Sequence, residues 1–184
     1  MNHLILESEK LILKTLDLSF LSNEYVNWMN DVRVNKYLEN SSDYNLNKLE
    51  KYLSNIQDNK ILAWAIIIKR TKKHIGNIKI DPVDFKNSIC RYGIMMGDTN
   101  EWGKGYAKKA SQLVTEYCFD TLNLREIYLG VIEENKAAFE LYKKLNFIVS
   151  GKWDPEYVNY DGINHRIIRM SLVNKNYRKV LVNS

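Results

Sequence analysis

Arg91-Tyr92-Gly93-Ile94-Met95-Met96-Gly97-Asp98-Thr99-Asn100-Glu101-Trp102-Gly103-Lys104-Gly105-Tyr106-Ala107-Lys108-Lys109 is the stretch on which the fold turns. Arg91 to Gly97 reads as a short apolar strand, Asp98 to Gly105 as a polar turn, and Tyr106 as the opening of a helix. The chain has 8 glycines, and Gly93, Gly97, Gly103 and Gly105 all fall here. Glycine permits positive φ and lets a ligand approach the main chain. A strand, a glycine turn and a helix start together make an anion site, because the N–H groups of the first helical turn lack partners and the helix dipole favours negative charge. Lys104, Lys108 and Lys109 add mobile positive charge. A lone Gly-x-Gly also serves as plain punctuation of a βα turn, so the residues on either side decide.

Downstream, a helix is expected from Tyr106 to Thr121 with Ala110, Leu113, Val114, Tyr117 and Cys118 inward. Asn123 lies where a left-handed residue is wanted after a helix. Leu124 to Ile132 reads as a strand, and the span from Arg91 to Ile132 suffices for a right-handed βαβ crossover, which makes its two strands parallel. The ligand crevice is expected at their carboxyl ends. Asn135 then starts a helix with Ala138, Leu141, Tyr142 and Leu145 inward, and Asn146 repeats the asparagine stop. Phe147 to Trp153 and His165 to Leu172 read as strands around a polar turn at Asp161-Gly162.

Upstream, Leu4 to Leu6 and Leu11 to Leu16 predict a hairpin or a broken strand around the polar turn Glu7 to Lys10. Asp17 or Ser19 is expected to cap a helix carrying Leu21, Tyr25, Trp28 and Met29, with a short helical piece through Val32, Val34, Tyr37 and Leu38 and a polar break from Asn40 to Asp43. Leu46, Leu49, Tyr52, Leu53 and Ile56 form a helical stripe. Ile61 to Lys69 reads as a strand buried on both faces, and His74 to Asp81 as a strand closed by Pro82. The whole predicts a mixed α+β fold: one domain over residues 1–174 and a loosely held tail over 175–184.

At 184 residues one domain can bury about 70% of its unfolded surface. The net charge of +5 is spread along the chain without a run of five or six like charges, which speaks against nucleic acid as the main ligand and suits a small polyanion. Cys90 and Cys118 have no metal spacing, so no metal site is expected and a reduced, cytoplasmic protein is. Glu7 and Glu9 interrupt the opening apolar residues, against a signal peptide, and no apolar run is long enough to suggest a membrane span.

The run Trp102-Gly103-Lys104-Gly105-Tyr106-Ala107-Lys108-Lys109-Ala110, then Asn135 with Ala138, then Tyr142-Lys143-Lys144-Leu145-Asn146-Phe147, resembles the GNAT superfamily of acetyl-CoA-dependent N-acetyltransferases. SEKLILKTL, WMNDVRVNKYL and YDGINHRIIRMSL also resemble the branch named for ribosomal-protein N-terminal alanine and serine acetyltransferases, so the likeness covers nearly the whole chain. It implies a mostly antiparallel twisted sheet with a parallel βαβ pair at the cofactor crevice, helices on both faces, and a possible homodimer.

The resemblance also implies acetyl-CoA as co-substrate, its phosphates held by Trp102, Gly103, Lys104, Gly105, Tyr106 and Ala107. Trp102 departs from the family's Gln or Arg, which matters little if main-chain N–H groups do the binding. Backbone groups around Met95 and Met96 would bond the pantetheine arm, and Asn135 would both cap its helix and touch the cofactor. Tyr142, two helical turns beyond Asn135, would be the acid that protonates the departing thiolate; a phenol holds its proton at neutral pH.

The attacking amine must lose a proton, and the family's base positions here hold Gly130 and Arg91 or Tyr92. Asp81, Glu133, Glu134, His165 or water remain as candidates. The acceptor reads first as the amine of a small molecule, such as an amino sugar, an aminoglycoside or a polyamine. A peptide N-terminus and a non-catalytic acyl-CoA-binding module are the rivals. Trp28 to Tyr37 and Tyr157 to His165 are candidate walls, and Glu39, Asp43, Glu133 and Glu134 are the acidic groups that a cationic acceptor could use.

Overall fold

The structure is a computed structural model and describes residues 4–38, 43–160 and 163–178. A hairpin of β1 (Ile5–Glu7) and β2 (Leu11–Thr15) opens the chain, followed by α1 (Asn23–Asn30), α2 (Val32–Asn35) and α3 (Leu46–Asp58). Next come β3 (Leu62–Ile68), β4 (His74–Asp84), β5 (Ile89–Met96), α4 (Tyr106–Glu116), β6 (Glu126–Ile132), α5 (Lys136–Lys144), β7 (Ile148–Tyr160) and β8 (Ile163–Val173). The strands form one sheet in the order β1-β2-β3-β4-β5-β6-β8-β7. Its pairs are antiparallel except β5 with β6.

The run in β3 explains why helices cover both faces. Side chains alternate along a strand, so Trp64 and Ile66 enter one core with residues of α4 and α5, while Ala63, Ala65 and Ile67 enter a second with Tyr25 and Trp28 of α1 and Leu49, Leu53 and Ile56 of α3. The expected helical stripe lies on this second face, and Asn45 caps α3 by accepting from the Lys48 N–H at 3.0 Å.

Several boundaries differ from expectation. Ser22 caps α1, accepting from the Tyr25 N–H, while Asp17 caps only a 3₁₀ turn at Leu18–Phe20. Pro82 does not close β4: pairing shifts between Ile80 and Val83 and resumes at Val83–Cys90, a bulge that accommodates a residue without an N–H. The helix from Tyr106 ends as α at Glu116 and continues as a π-helical turn over Tyr117–Thr121. Asn123 and Asn146 take the positive φ expected of them, 49° and 66°.

β7 extends beyond the expected Trp153 to Tyr160. At the start of the expected tail, Tyr177 donates its hydroxyl to Ser88 Oγ at 3.1 Å, and the Asn123 amide donates to the Arg178 carbonyl. Glu39, the break at 40–42 and the turn at Asp161-Gly162 lie outside the described residues. Cys90 and Cys118 are buried as free thiols, Sγ to Sγ 4.0 Å; the bond between them and burial raise the Cys118 thiol far above its usual range. Among the described residues no helix is long and apolar enough to cross a membrane.

Candidate active site

A wedge between β5 and β6 is the centre of the site. The two strands pair over Ile89–Glu126, Cys90–Ile127 and Arg91–Tyr128 and then part. Beyond that point β5 stays with β4 up to Gly76–Met96, and β6 stays with β8 up to Ile132–Ile167. The expected crevice at the carboxyl ends of the parallel pair is this opening.

The direction of the β5 backbone follows from one bond. Gly97 donates its N–H to Ile75 of the β4 side at 2.9 Å, and main-chain groups alternate in direction along a strand. Met95, Gly93 and Arg91 therefore address β4, whereas Ile94 and Met96 turn their N–H and C=O groups into the wedge. Of the two residues around which a cofactor contact was expected, Met95 turns its main-chain groups to β4 and Met96 turns its own to the wedge. The Met95 side chain packs in the α1–α3 core, and Met96 packs on the opposite core.

After β5 the chain makes the loop that the glycines foretold. Asp98 caps a 3₁₀ turn at Thr99–Glu101 by accepting from the Asn100 N–H at 3.0 Å. Its other oxygen is ion-paired with Lys73. Burial raises the Asp98 carboxyl, but Lys73 and the Asn100 N–H outweigh it and leave the group below its usual range.

Gly103 and Gly105 take φ of 75° and 83°, where a side chain would be strained, and a Cβ at either would meet nothing within 4 Å. Gly105 caps α4 with no side-chain bond, so the N–H groups of Tyr106, Ala107 and Lys108 lack helical partners and face the cradle. Lys104 pairs with Glu101 at 2.8 Å. Trp102 is 43% exposed and its indole N–H donates to the Met96 carbonyl at 2.9 Å. This arrangement suits a pyrophosphate and an extended amide-bearing arm: open donors at the helix start, open backbone along β5.

Across the wedge, Asn135 caps α5 by accepting from the Ala138 N–H at 3.2 Å, and its amide NH₂ donates to no described residue. Tyr142 is 7% exposed, packed edge-on to Tyr92 at 6.0 Å and beside Phe147 at 5.9 Å. No described residue bonds its hydroxyl. Burial raises that phenol well above its usual range, so the proton is held. Tyr92, by contrast, is tied: its hydroxyl meets Ser111 Oγ at 2.6 Å, and Ser111 donates onward to the Ala107 carbonyl at 2.7 Å, fixing α4 against β5.

The four candidate bases are all engaged. Asp81 lies 3.6 Å from Lys79, Glu133 3.8 Å from Arg166, and Glu134 3.3 Å from His165 Nδ1. The Glu134 carboxyl is held below its usual range, first by its own main-chain N–H and then by His165. Tyr37 donates to the Glu134 carbonyl at 3.2 Å, which brings the end of the expected Trp28-to-Tyr37 wall to the mouth of the wedge.

Two features escaped the sequence reading. Gly97 is required because a Cβ there would lie 2.1 Å from the Trp28 ring. On the α1–α3 face, the His74 imidazole sits among Phe20, Tyr25 and Trp28, its Nε2–H donating to the Gly76 carbonyl at 2.9 Å and Asn77 Oδ1 at 3.0 Å. Asn77 in turn donates to the Tyr25 hydroxyl at 2.5 Å. The hydrogen-bonded pair of Tyr25 and Asn77 is 52 residues apart in the chain, and only the unusual pairing of a histidine and an asparagine with an apolar strand hinted at the cluster.

Comparison with known proteins shows the same fold in acetyltransferases. A spermidine N-acetyltransferase from Vibrio cholerae, solved in complex with CoA and spermine, has a TM-score of 0.79 at 25% identity over 92% of this chain and 99% of that one. A ribosomal-protein-S5-alanine acetyltransferase from Vibrio fischeri has 0.75 at 18% identity, a likeness of fold alone, over 96% and 100%. In sequence, an uncharacterized N-acetyltransferase p20 of Bacillus licheniformis is 29% identical over 150 residues, 79% of this chain and 83% of that one. The spermidine N(1)-acetyltransferase of Escherichia coli (strain K12) is 39% identical over 75 residues, 41% of this chain and 40% of that one. Residues 10–148 match the acetyltransferase (GNAT) domain family. That match spans most of the chain, and the protein belongs to the GNAT superfamily of N-acetyltransferases.

Proposed function

We propose that the protein moves the acetyl group of acetyl-CoA to a primary amine of a small molecule by direct attack. The observation that carries this reading is the juxtaposition of an open N–H cradle at the start of α4 with a buried, unbonded Tyr142 hydroxyl across the wedge. The spermidine acetyltransferases among its relatives, one solved with CoA and spermine, support a small amine as acceptor.

Acetyl-CoA supplies an acyl group already activated as a thioester. The chain's own residues position and protonate. The N–H groups from Gly103 to Lys108 hold the phosphates, the main-chain groups of Ile94 and the Met96 N–H bond the pantetheine arm as a neighbouring strand would, and the Asn135 amide steadies it from β6's side. The ammonium first gives a proton to water; the freed amine nitrogen then bonds the acyl carbon as the carbon–sulfur bond breaks, Tyr142 gives its proton to the leaving sulfur, and the proton shed by the nitrogen as the amide forms returns through water to the Tyr142 oxygen. Water is the base in this reading: Asp81 is paired with Lys79, Glu133 with Arg166, and Glu134 with His165.

The test is thiol release from acetyl-CoA with a panel of polyamines, amino sugars, aminoglycosides and peptides beginning with alanine or serine. Turnover confined to small amines supports the reading. Turnover confined to the peptides moves the acceptor to a protein N-terminus, and acetyl-CoA binding without transfer to any amine replaces the enzyme with a binding module.

A further inference from the structure

Arg91 stands where the wedge opens, as the last β5 residue paired with β6. Its neighbour Tyr92 enters the core under α4, so Arg91 projects from the opposite sheet face. Cross-strand partners share a face, which puts Lys79 with Gly93, Arg91 with Tyr128, and Gly130 with Arg169 on the same side. Gly93 and Gly130 leave the floor beside the wedge bare; a Cβ at Gly93 would meet nothing within 4 Å.

The charges around that floor are unevenly matched. Asp81 is taken by Lys79 at 3.6 Å, and Glu126 accepts from Arg169 at 3.2 Å and from Ser171 at 2.7 Å. The Arg169 guanidinium also lies 4.5 Å from the centre of the Tyr128 ring. Arg91 is anchored through Nε to the Asp81 carbonyl at 2.9 Å, and its two terminal nitrogens bond no described residue. A guanidinium fixed at Nε and open at its outer nitrogens is a fork for a carboxylate or a phosphate.

Resting on the N-acetyltransferase reading, we infer that the acceptor is a primary amine bearing an oxyanion, carboxylate or phosphate, which the Arg91 fork beside Lys79 at the apex of the wedge recognises. The same group works against a polycation, because a second ammonium entering beside Arg91 meets like charge with no open carboxylate among the described residues lining that floor.

The experiment measures kcat/KM for matched amines: O-phosphoethanolamine against ethanolamine, β-alanine against β-alaninamide, and spermidine alone, with wild type and Arg91→Met. At least one anionic amine is expected to exceed its neutral partner by about tenfold or more, a ratio that collapses towards one in Arg91→Met. Preference in the first pair only identifies a phosphate, and in the second only a carboxylate. Spermidine or a neutral amine as the best wild-type acceptor, or an anion preference that survives Arg91→Met, overturns the inference and leaves the acetyltransferase reading standing. Silence with these five amines overturns the inference, and silence across the wider panel of amino sugars, aminoglycosides and peptides as well removes the acetyltransferase reading. The wild-type ratios decide the matter by themselves if the variant does not fold.

Discussion

The indole N–H of Trp102 donates to the main-chain carbonyl of Met96 at 2.9 Å, across the mouth of the loop that joins β5 to α4. The half-exposed ring thus folds back on the strand it has just left and takes up an acceptor that faces the wedge. Trp102 thereby braces the loop against the strand that leads into it.

Trp102→Phe keeps a ring and removes the donor. One neutral hydrogen bond contributes about 1 kcal/mol, so the Kd for acetyl-CoA is expected to rise about three- to tenfold with little change in melting temperature. Calorimetric titration checks it; unchanged affinity would deny the brace any part in cofactor binding.

Tyr142→Phe separates chemistry from packing. The hydroxyl bonds no described residue, so its loss should leave stability within about 0.5 kcal/mol. As the proton donor to sulfur it should lower kcat by about a hundredfold or more with acetyl-CoA binding retained. A variant that turns over at the wild-type rate sinks the assignment.

Gly97→Ala sets a methyl group 2.1 Å from the Trp28 ring, which is buried against the same cluster. Overpacking of this kind costs about 1–3 kcal/mol. Urea denaturation of Gly97→Ala, Trp28→Ala and the double variant should show the pair costing less than the two single changes together. Additive losses would mean that the methyl group clashes elsewhere.

His74 predicts a pH dependence of stability. Burial pushes its imidazole below the usual value, with the bonds to Asn77 and Gly76 only partly opposing this. Below about pH 6.5 the unfolded chain therefore takes up a proton that the folded one resists, and stability falls as pH drops from there through the folded pKa. Denaturation between pH 7.5 and 5 should give a flatter profile for His74→Gln than for wild type. Parallel profiles would place the titration elsewhere.

Much of this was legible in the chain. The glycine loop, the α4 and α5 stripes and the asparagine stops depend on neighbours three or four residues apart, which a sequence displays directly. Pro82 misled because a proline that ends pairing and one that sits in a bulge look alike until Val83 is seen opposite Cys90. The Ser22 cap was missed because Asp17, a cap residue too, comes first and serves a shorter turn. Strand lengths for β5 and β6 could be read approximately; the place where they part could not, since it is set by partners across the sheet, β4 for one strand and β8 for the other. For the same reason Arg91 showed only as a missing carboxylate, and its place at the apex came with the fold.

The parting of β5 from β6 also ties folding to metabolism. Ile94 and Met96 present strand edges that no strand among the described residues completes, so a molecule laid along them would serve as an extra strand that the gene does not encode. Each tenfold rise in its concentration above Kd then adds about 1.4 kcal/mol to the stability of the folded state. A cell short of that molecule would hold less folded protein as well as less active protein, and turnover of the chain by proteases would follow the supply of its own co-substrate.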